Sequence, residues 1–196
     1  MYYLVGLGNP GEKYSDTRHN VGWFFVEALI EKVGLPSLVN SSKYSGRINE
    51  GMLAGEELTC LLPDTYMNKS GSAVAKLVLR EEVGNLVVVY DDVALPVGEV
   101  KISVGKGSGG HNGIQSIIDA LGSKDFIRVR VGIAPVSFWT GKTIRPKGEK
   151  MSRHVLGKFG KKEQKQIADL ADQFTKIMTS IVTEGVEVTM NKFNGI

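Results

Sequence analysis

Leu86-Val87-Val88-Val89-Tyr90-Asp91-Asp92 decides the fold of this chain. Five apolar residues without polar alternation are what a strand covered on both faces requires. The run stops at two carboxylates, so this strand leaves the core at a charged end. Towards the amino terminus, Leu4 to Leu7 is a second short apolar run, closed by Gly8-Asn9-Pro10-Gly11. From Val21 to Val33 the apolar residues recur at helical spacing, and Gly34-Leu35-Pro36 stops the pattern. Tyr44 to Met52 and Glu57 to Leu62 flank Ala54-Gly55-Glu56 as a hairpin. The polar loop Pro63 to Ser70 leads into a helix expected over Ser72 to Glu81.

Towards the carboxyl terminus, Glu99 to Val104 alternates like a strand, and Gly105 to Gly110 forms a glycine-rich loop. A helix from about Asn112 to Leu121 and a strand from Phe126 to Ile133 follow. Residues 134–150, rich in Gly, Pro and Lys, read as a mobile basic loop, and lid and carboxyl-terminal helices are expected over about 151–194. Strands and helices therefore alternate, with one hairpin inserted. That predicts a single globular α/β domain over residues 1–196, with a mixed, mostly parallel central sheet flanked by helices.

Composition narrows the function. The 42% hydrophobic and 23% charged residues are ordinary for a globular domain. The single cysteine, Cys60, excludes an intramolecular disulfide and a Cys-based metal site, and its apolar surroundings make it a core residue. The amino end lacks the pattern of a secretory signal, and no apolar run approaches the roughly 18 residues of a membrane span. A cytoplasmic protein is expected. The net charge of +3 is unevenly placed: residues 1–100 carry 8 basic and 13 acidic side chains, residues 101–196 carry 16 and 8. Lys142 to Lys165 is the densest basic stretch. Taken alone it reads as a solvated face or as a docking surface for a polyanion.

Gly6-Leu7-Gly8-Asn9-Pro10-Gly11 matches G-x-G-x-x-G after a strand, which raises a dinucleotide-binding enzyme. The context argues against it. Pro10 disfavours helical geometry at Asn9, the helical pattern starts only at about Val21, and Glu27 and Glu31 fall inside a helix rather than at a strand end.

Four loops lie at strand ends or helix starts, where open α/β sheets bind ligands. They are Gly8 to Gly11, Thr17 to Asn20, Thr65 to Gly71 and Gly109 to Gly113. His19 titrates near neutrality and can take a proton from water, and a carboxylate such as Asp91 can hold its other nitrogen. Asn9 and Asn68 can orient a substrate or donate to an oxyanion. Separately, a histidine beside a helix start is more often a surface or capping residue, and an asparagine a turn residue.

Val5 to Gly11, Tyr14 and Thr17 to Gly22 resemble the amino-terminal signature of bacterial-type peptidyl-tRNA hydrolases. Tyr66 to Gly71, Asp91-Asp92 with Leu95-Pro96, Gly109 to Gly113, Arg128 to Ile133 and Val155 to Phe159 resemble the remaining family blocks, in order. The resemblance implies the peptidyl-tRNA hydrolase (phosphorylase/hydrolase-like) fold, a monomer, and no metal or organic cofactor. It implies hydrolysis of the ester joining a peptide to the 3′-terminal ribose of tRNA, with peptidyl-tRNA as partner and no membrane. His19 matches the base that activates water, and Asp91 the carboxylate that orients it. Asn9 and Asn68 match residues at the reacting centre, with Tyr66 and Met67 in the same substrate cleft. Asn112 matches a contact to the peptide, His111 a support of the neighbouring loop, Tyr14 a residue near the ester-bearing end of the tRNA, and Arg130 a phosphate-binding cation. The other reading is a non-catalytic RNA-binding relative on the same fold.

Three departures stand out. Ser103 occupies the place of a phosphate-clamping lysine, which Lys101 or Lys106 would have to replace, and Ala94 stands where an aspartate is usual. The loop from Phe138 to Lys150 is longer and more basic than the family pattern leads one to expect.

Overall fold

The computed structural model describes residues 1–137 and 139–194. Its strands are β1 (Tyr2–Gly6), β2 (Val39–Ser41), β3 (Gly46–Leu53), β4 (Glu56–Pro63), β5 (Leu86–Pro96), β6 (Val100–Val104) and β7 (Ile127–Ala134). Its α-helices are α1 (Val21–Val33), α2 (Ser70–Leu77), α3 (Asn112–Leu121), α4 (Glu149–Val155), α5 (Lys161–Glu184) and α6 (Val186–Phe193). The seven strands form one sheet in the order β2-β3-β4-β1-β5-β7-β6. The middle pairs β4–β1, β1–β5 and β5–β7 are parallel, and the outer pairs are antiparallel. The expected mixed sheet is present, with its parallel part at the centre.

Side-chain alternation builds two cores. Leu4, Cys60, Leu62, Val87, Val89, Val129 and Val131 face α1 and α5, whose Phe25, Leu29, Phe174 and Ile177 are fully buried. Tyr3, Val5, Leu61, Val88 and Tyr90 face α2 and α3, with Val74, Ile114 and Ile117 packed against them. β1, β4 and β5 each contribute to both cores, which is why β5 is apolar at every position from Leu86 to Tyr90. Burial of apolar area on both faces stabilises these central strands by about 25 cal/mol per Å².

The three glycines of the misleading motif have local explanations. A Cβ on Gly6 would come within 2.5 Å of the Gly22 carbonyl oxygen, and one on Gly8 within 2.8 Å of the Trp23 ring. Gly11 sits at φ 102°, a region that side chains avoid. Gly6 and Gly8 thus let α1 pass close over the end of β1.

Elsewhere the structure corrects element boundaries. The helix expected over Ser72 to Glu81 runs instead over Ser70–Leu77, because Val78 turns extended (φ −109°, ψ 122°) to bury its side chain. A 3-10 stretch over Arg80–Asn85 follows. Short 3-10 turns at Arg18–Asn20 and Met67–Lys69 were not foreseen. Nor was β2, nor the full length of β5, which extends through a register shift between Asp92 and Pro96. In the basic segment, Val136 bridges Thr143, Ser137 N–H donates to Lys142 C=O at 2.8 Å, and Ile144 N–H donates to Pro135 C=O at 2.8 Å. Phe138, where the longer loop was expected to begin, lies outside the described residues.

At one edge of the sheet, the Asn194 side chain accepts from Ile102 N–H at 2.7 Å and donates to Ile102 C=O at 2.8 Å.

Candidate active site

A cleft of about 440 Å³ lies over the carboxyl half of β5, beside β6, β7, the glycine-rich loop and the start of α3. His19, Asp91, His111, Asn112, Lys106 and Arg130 all line it, joined by Ser103, Arg128 and Arg145. Met151, Ser152 and Val155 of α4 close one side.

The centre of the cleft is a single carboxylate oxygen. Asp91, 2% exposed, accepts at Oδ1 from His19 Nδ1 at 2.8 Å and from His111 Nε2 at 3.0 Å. Burial would raise the Asp91 pKa, but the two imidazoles outweigh it and hold the carboxyl well below the usual carboxylate range. Burial pulls the His19 pKa down, yet the charge and hydrogen bond of Asp91 reverse this and leave it above its ordinary 6.5. With Nδ1–H engaged by Asp91, His19 keeps the Nε2 lone pair, the form of the ring that can accept a proton.

The turn bearing His19 is held from both sides. Arg18 N–H donates to Gly157 C=O at 2.9 Å, and its guanidinium pairs with Glu163 at 2.8 Å and reaches His154 C=O at 3.4 Å. Thr17 bridges Lys158. The segment joining α4 to α5 is thereby tied to the residue next to His19. His154 in turn donates from Nε2 to Ile133 C=O at 2.7 Å.

Asn9 lies beside this centre, 7% exposed. Its side-chain carbonyl accepts from Met67 N–H at 2.8 Å, so its amide NH₂ remains as a donor. Met67 is buried, and its sulfur packs against Gly113, where a Cβ would lie 2.6 Å from it. Met67 thus links Asn9 to Gly113 beside His111, but neither Asn9 nor Met67 lines the cleft, where Met67 was expected. Asn68, Tyr66 and Asn112 are exposed, and of these only Asn112 lines the cleft. Tyr14 is half-buried outside it, with the Lys13 ammonium 4.8 Å from its ring centre.

The cationic wall differs from expectation in detail. Arg130 is engaged by Asp92, its Nε and Nη2 both 2.7 Å from Oδ2. Ser103 is opposite Arg128 in the β6–β7 register, and Lys101 opposite Arg130, so Lys101 shares a sheet face with Arg130 although it does not line the cleft. Lys106 does line it. Ser103 Oγ is buried with no hydrogen-bond partner among the described residues. Arg128, 1% exposed, donates to the carbonyls of Gly107 (2.7 Å), Lys124 (3.3 Å) and Lys106, and so pins the glycine-rich loop.

Sequence reasoning missed Asn20, Arg18 and Arg128 as parts of the site. Each lies beside a residue it did single out, but only their backbone partners, distant in sequence, reveal their work. In space His19, Asp91 and His111 bring their donor atoms within 4.8 Å of one another. A metal ion there would have to displace both ring N–H protons that now bond Asp91.

A sequence model of the peptidyl-tRNA hydrolase family matches residues 3–196. A peptidyl-tRNA hydrolase of Caldanaerobacter subterraneus subsp. tengcongensis is 40% identical over 197 residues, covering 100% of both chains. One from Thermodesulfovibrio yellowstonii is 40% identical over 198 residues, covering 99% of each. The crystal structure of peptidyl-tRNA hydrolase from Acinetobacter baumannii superposes with a TM-score of 0.86 at 33% identity, covering 99% of this chain and 94% of that one. A peptidyl-tRNA hydrolase crystallised with N-propanol gives a TM-score of 0.87 at 34% identity, with the same coverage.

Proposed function

The chain belongs to the peptidyl-tRNA hydrolase family, and we propose that it cleaves the ester between a peptide and the 3′-terminal ribose of tRNA with a water activated by His19. The hydrogen bond of 2.8 Å from His19 Nδ1 to the buried Asp91 carries this reading. It leaves Nε2 as the acceptor. Nε2 removes a proton from water as the water oxygen attacks the ester carbonyl carbon. The imidazolium, stabilised by Asp91, then returns that proton to the departing ribose oxygen as the tetrahedral intermediate collapses. The products are a free peptide carboxylate and a tRNA with its hydroxyl restored.

The donors for the oxyanion are taken to be the Asn9 amide, which its bond to Met67 turns NH₂ outward, together with Asn68 and Asn112. Arg130, Lys106, Lys101 and Tyr14 serve the RNA, whose shape and phosphates supply most of the contact. A cytoplasmic, monomeric enzyme fits this role, and among the described residues no helix is long and apolar enough to cross a membrane.

Single-turnover hydrolysis of an N-acetyl-aminoacyl-tRNA with EDTA present tests the proposal. The wild type is expected to cleave the ester, and His19→Ala to lose several orders of magnitude while still binding tRNA. A wild type that binds tRNA and leaves the ester intact would favour an RNA-binding relative instead.

A further inference from the structure

We infer that His111 is a positioning residue, a second donor on Asp91 that fixes the carboxylate and sets the basicity of His19, rather than a contact to peptide or RNA. The assignment rests on His19 acting as the base. It starts from the helix it opens. His111 is the N-cap of α3, with φ −77° and ψ 115°, and its Nδ1 accepts from Ile114 N–H at 3.2 Å. A nitrogen that accepts a hydrogen bond carries a lone pair, so the ring proton must be on Nε2. That nitrogen faces Asp91 Oδ1 at 3.0 Å. The cap therefore selects the tautomer that donates to the catalytic carboxylate.

Both ring nitrogens are spent on the protein, and none remains to offer a substrate. The ring itself is confined. Tyr90 meets it edge-on, with centroids 4.8 Å apart, and His111 Cε1 lies so close to Gly113 that a Cβ there would be 3.2 Å from it. The His19 ring lies 5.2 Å from that of His111, tilted by 55°. Asp91 Oδ1 thus receives two N–H donors, and the carboxylate cannot rotate without breaking both bonds. Its negative charge is divided between two partners, so its pull on the His19 proton is weaker than that of a singly bonded aspartate.

The charged and titratable groups around this pair come from every neighbouring element. β5 supplies Tyr90 and Asp92, the glycine-rich loop Lys106, β7 Arg128 and Arg130, and the basic segment Arg145, while α4 presents only Met151, Ser152 and Val155. Asp92 is already paired with Arg130, so Asp91 is the carboxylate that governs His19.

Two substitutions separate the roles. His111→Asn keeps a good helix cap but is too short to reach Asp91, and His111→Gln places an amide N–H near the position of Nε2. Single-turnover and steady-state hydrolysis of an N-acetyl-aminoacyl-tRNA are measured across pH. In His111→Asn the acid-side inflection is expected to rise by about 0.7 of a pH unit, an extra loss of about fivefold on the acid side, with KM nearly unchanged. His111→Gln should return most of the rate and the inflection. A higher KM with kcat and inflection unchanged in His111→Asn would make His111 a substrate contact and overturn the inference. Slowing of His111→Gln at every pH with His111→Asn unchanged would reduce it to a helix cap, which also overturns it. Failure of the base assignment is a different result: hydrolysis surviving in His19→Ala.

Discussion

Asn20 grips the main chain of Asn9 at both of its polar groups, accepting from Asn9 N–H at 2.9 Å and donating to Asn9 C=O at 3.0 Å. All four groups are buried, so the turn after His19 fixes the loop after β1 much as a neighbouring strand would. Asn20→Ala leaves two buried backbone groups without partners and is expected to cost about 2–4 kcal/mol of stability. Urea denaturation measures this, and hydrolysis by the folded fraction should fall too, because Asn9 loses its placement.

The pH dependence follows from the Asp91 pair. A base must be neutral to act, so kcat/KM is expected to fall as pH drops through an inflection above the ordinary 6.5 of His19. Asp91→Asn removes the charge that raises this value, so the inflection should move down and the plateau rate fall by roughly a thousandfold. A pH–rate profile of both proteins decides it. For stability the signs oppose. Depressed Asp91 stabilises the fold above the usual carboxylate range and loses that contribution as pH falls through it. Raised His19 stabilises it below about 6.5 and loses that contribution as pH rises through the folded value.

The Arg130–Asp92 pair sets up a test of RNA binding. Asp92→Asn frees the guanidinium, and tRNA affinity at low salt is expected to rise. Lys106→Ala and Arg145→Ala should weaken it and each lower the salt slope by about one. Affinity titrations over a range of salt concentrations read both effects.

Gly22→Ala probes the crossing of α1 behind the site. The added Cβ would lie 2.4 Å from Val89 C=O and 2.5 Å from Leu7 N, both backbone atoms that cannot swing aside. Destabilisation of about 3 kcal/mol or more is expected, seen as a large drop in Tm.

The central sheet was legible because β5 and β1 are apolar at consecutive positions, and the cleft because its loops fall at strand ends. His19, Asp91, Asn112 and Arg130 line one cleft, and their roles rest on the proposal above. What escaped the sequence is the wiring between them. That Arg128 is a buried staple rather than a surface cation depends on carbonyls at 106, 107 and 124, which no local pattern announces. That His111 turns its ring to Asp91 depends on a capping bond that a turn-forming residue of another kind would have satisfied equally well. The early end of α2 reflects tertiary burial of Val78 overriding local helical spacing.

A sheet with free borders is adhesive to other sheets, and this one manages both of its borders. The outer strand β2 is only three residues long, too short to template a partner. On the opposite side, the Asn194 amide occupies the donor and acceptor of Ile102 as an incoming strand would. One side chain near the end of the chain therefore stands guard against stacking of copies edge to edge. A version trimmed before Asn194, or one whose fusion partner drags α6 away, is expected to self-associate as concentration rises, with its cleft and its chemistry intact.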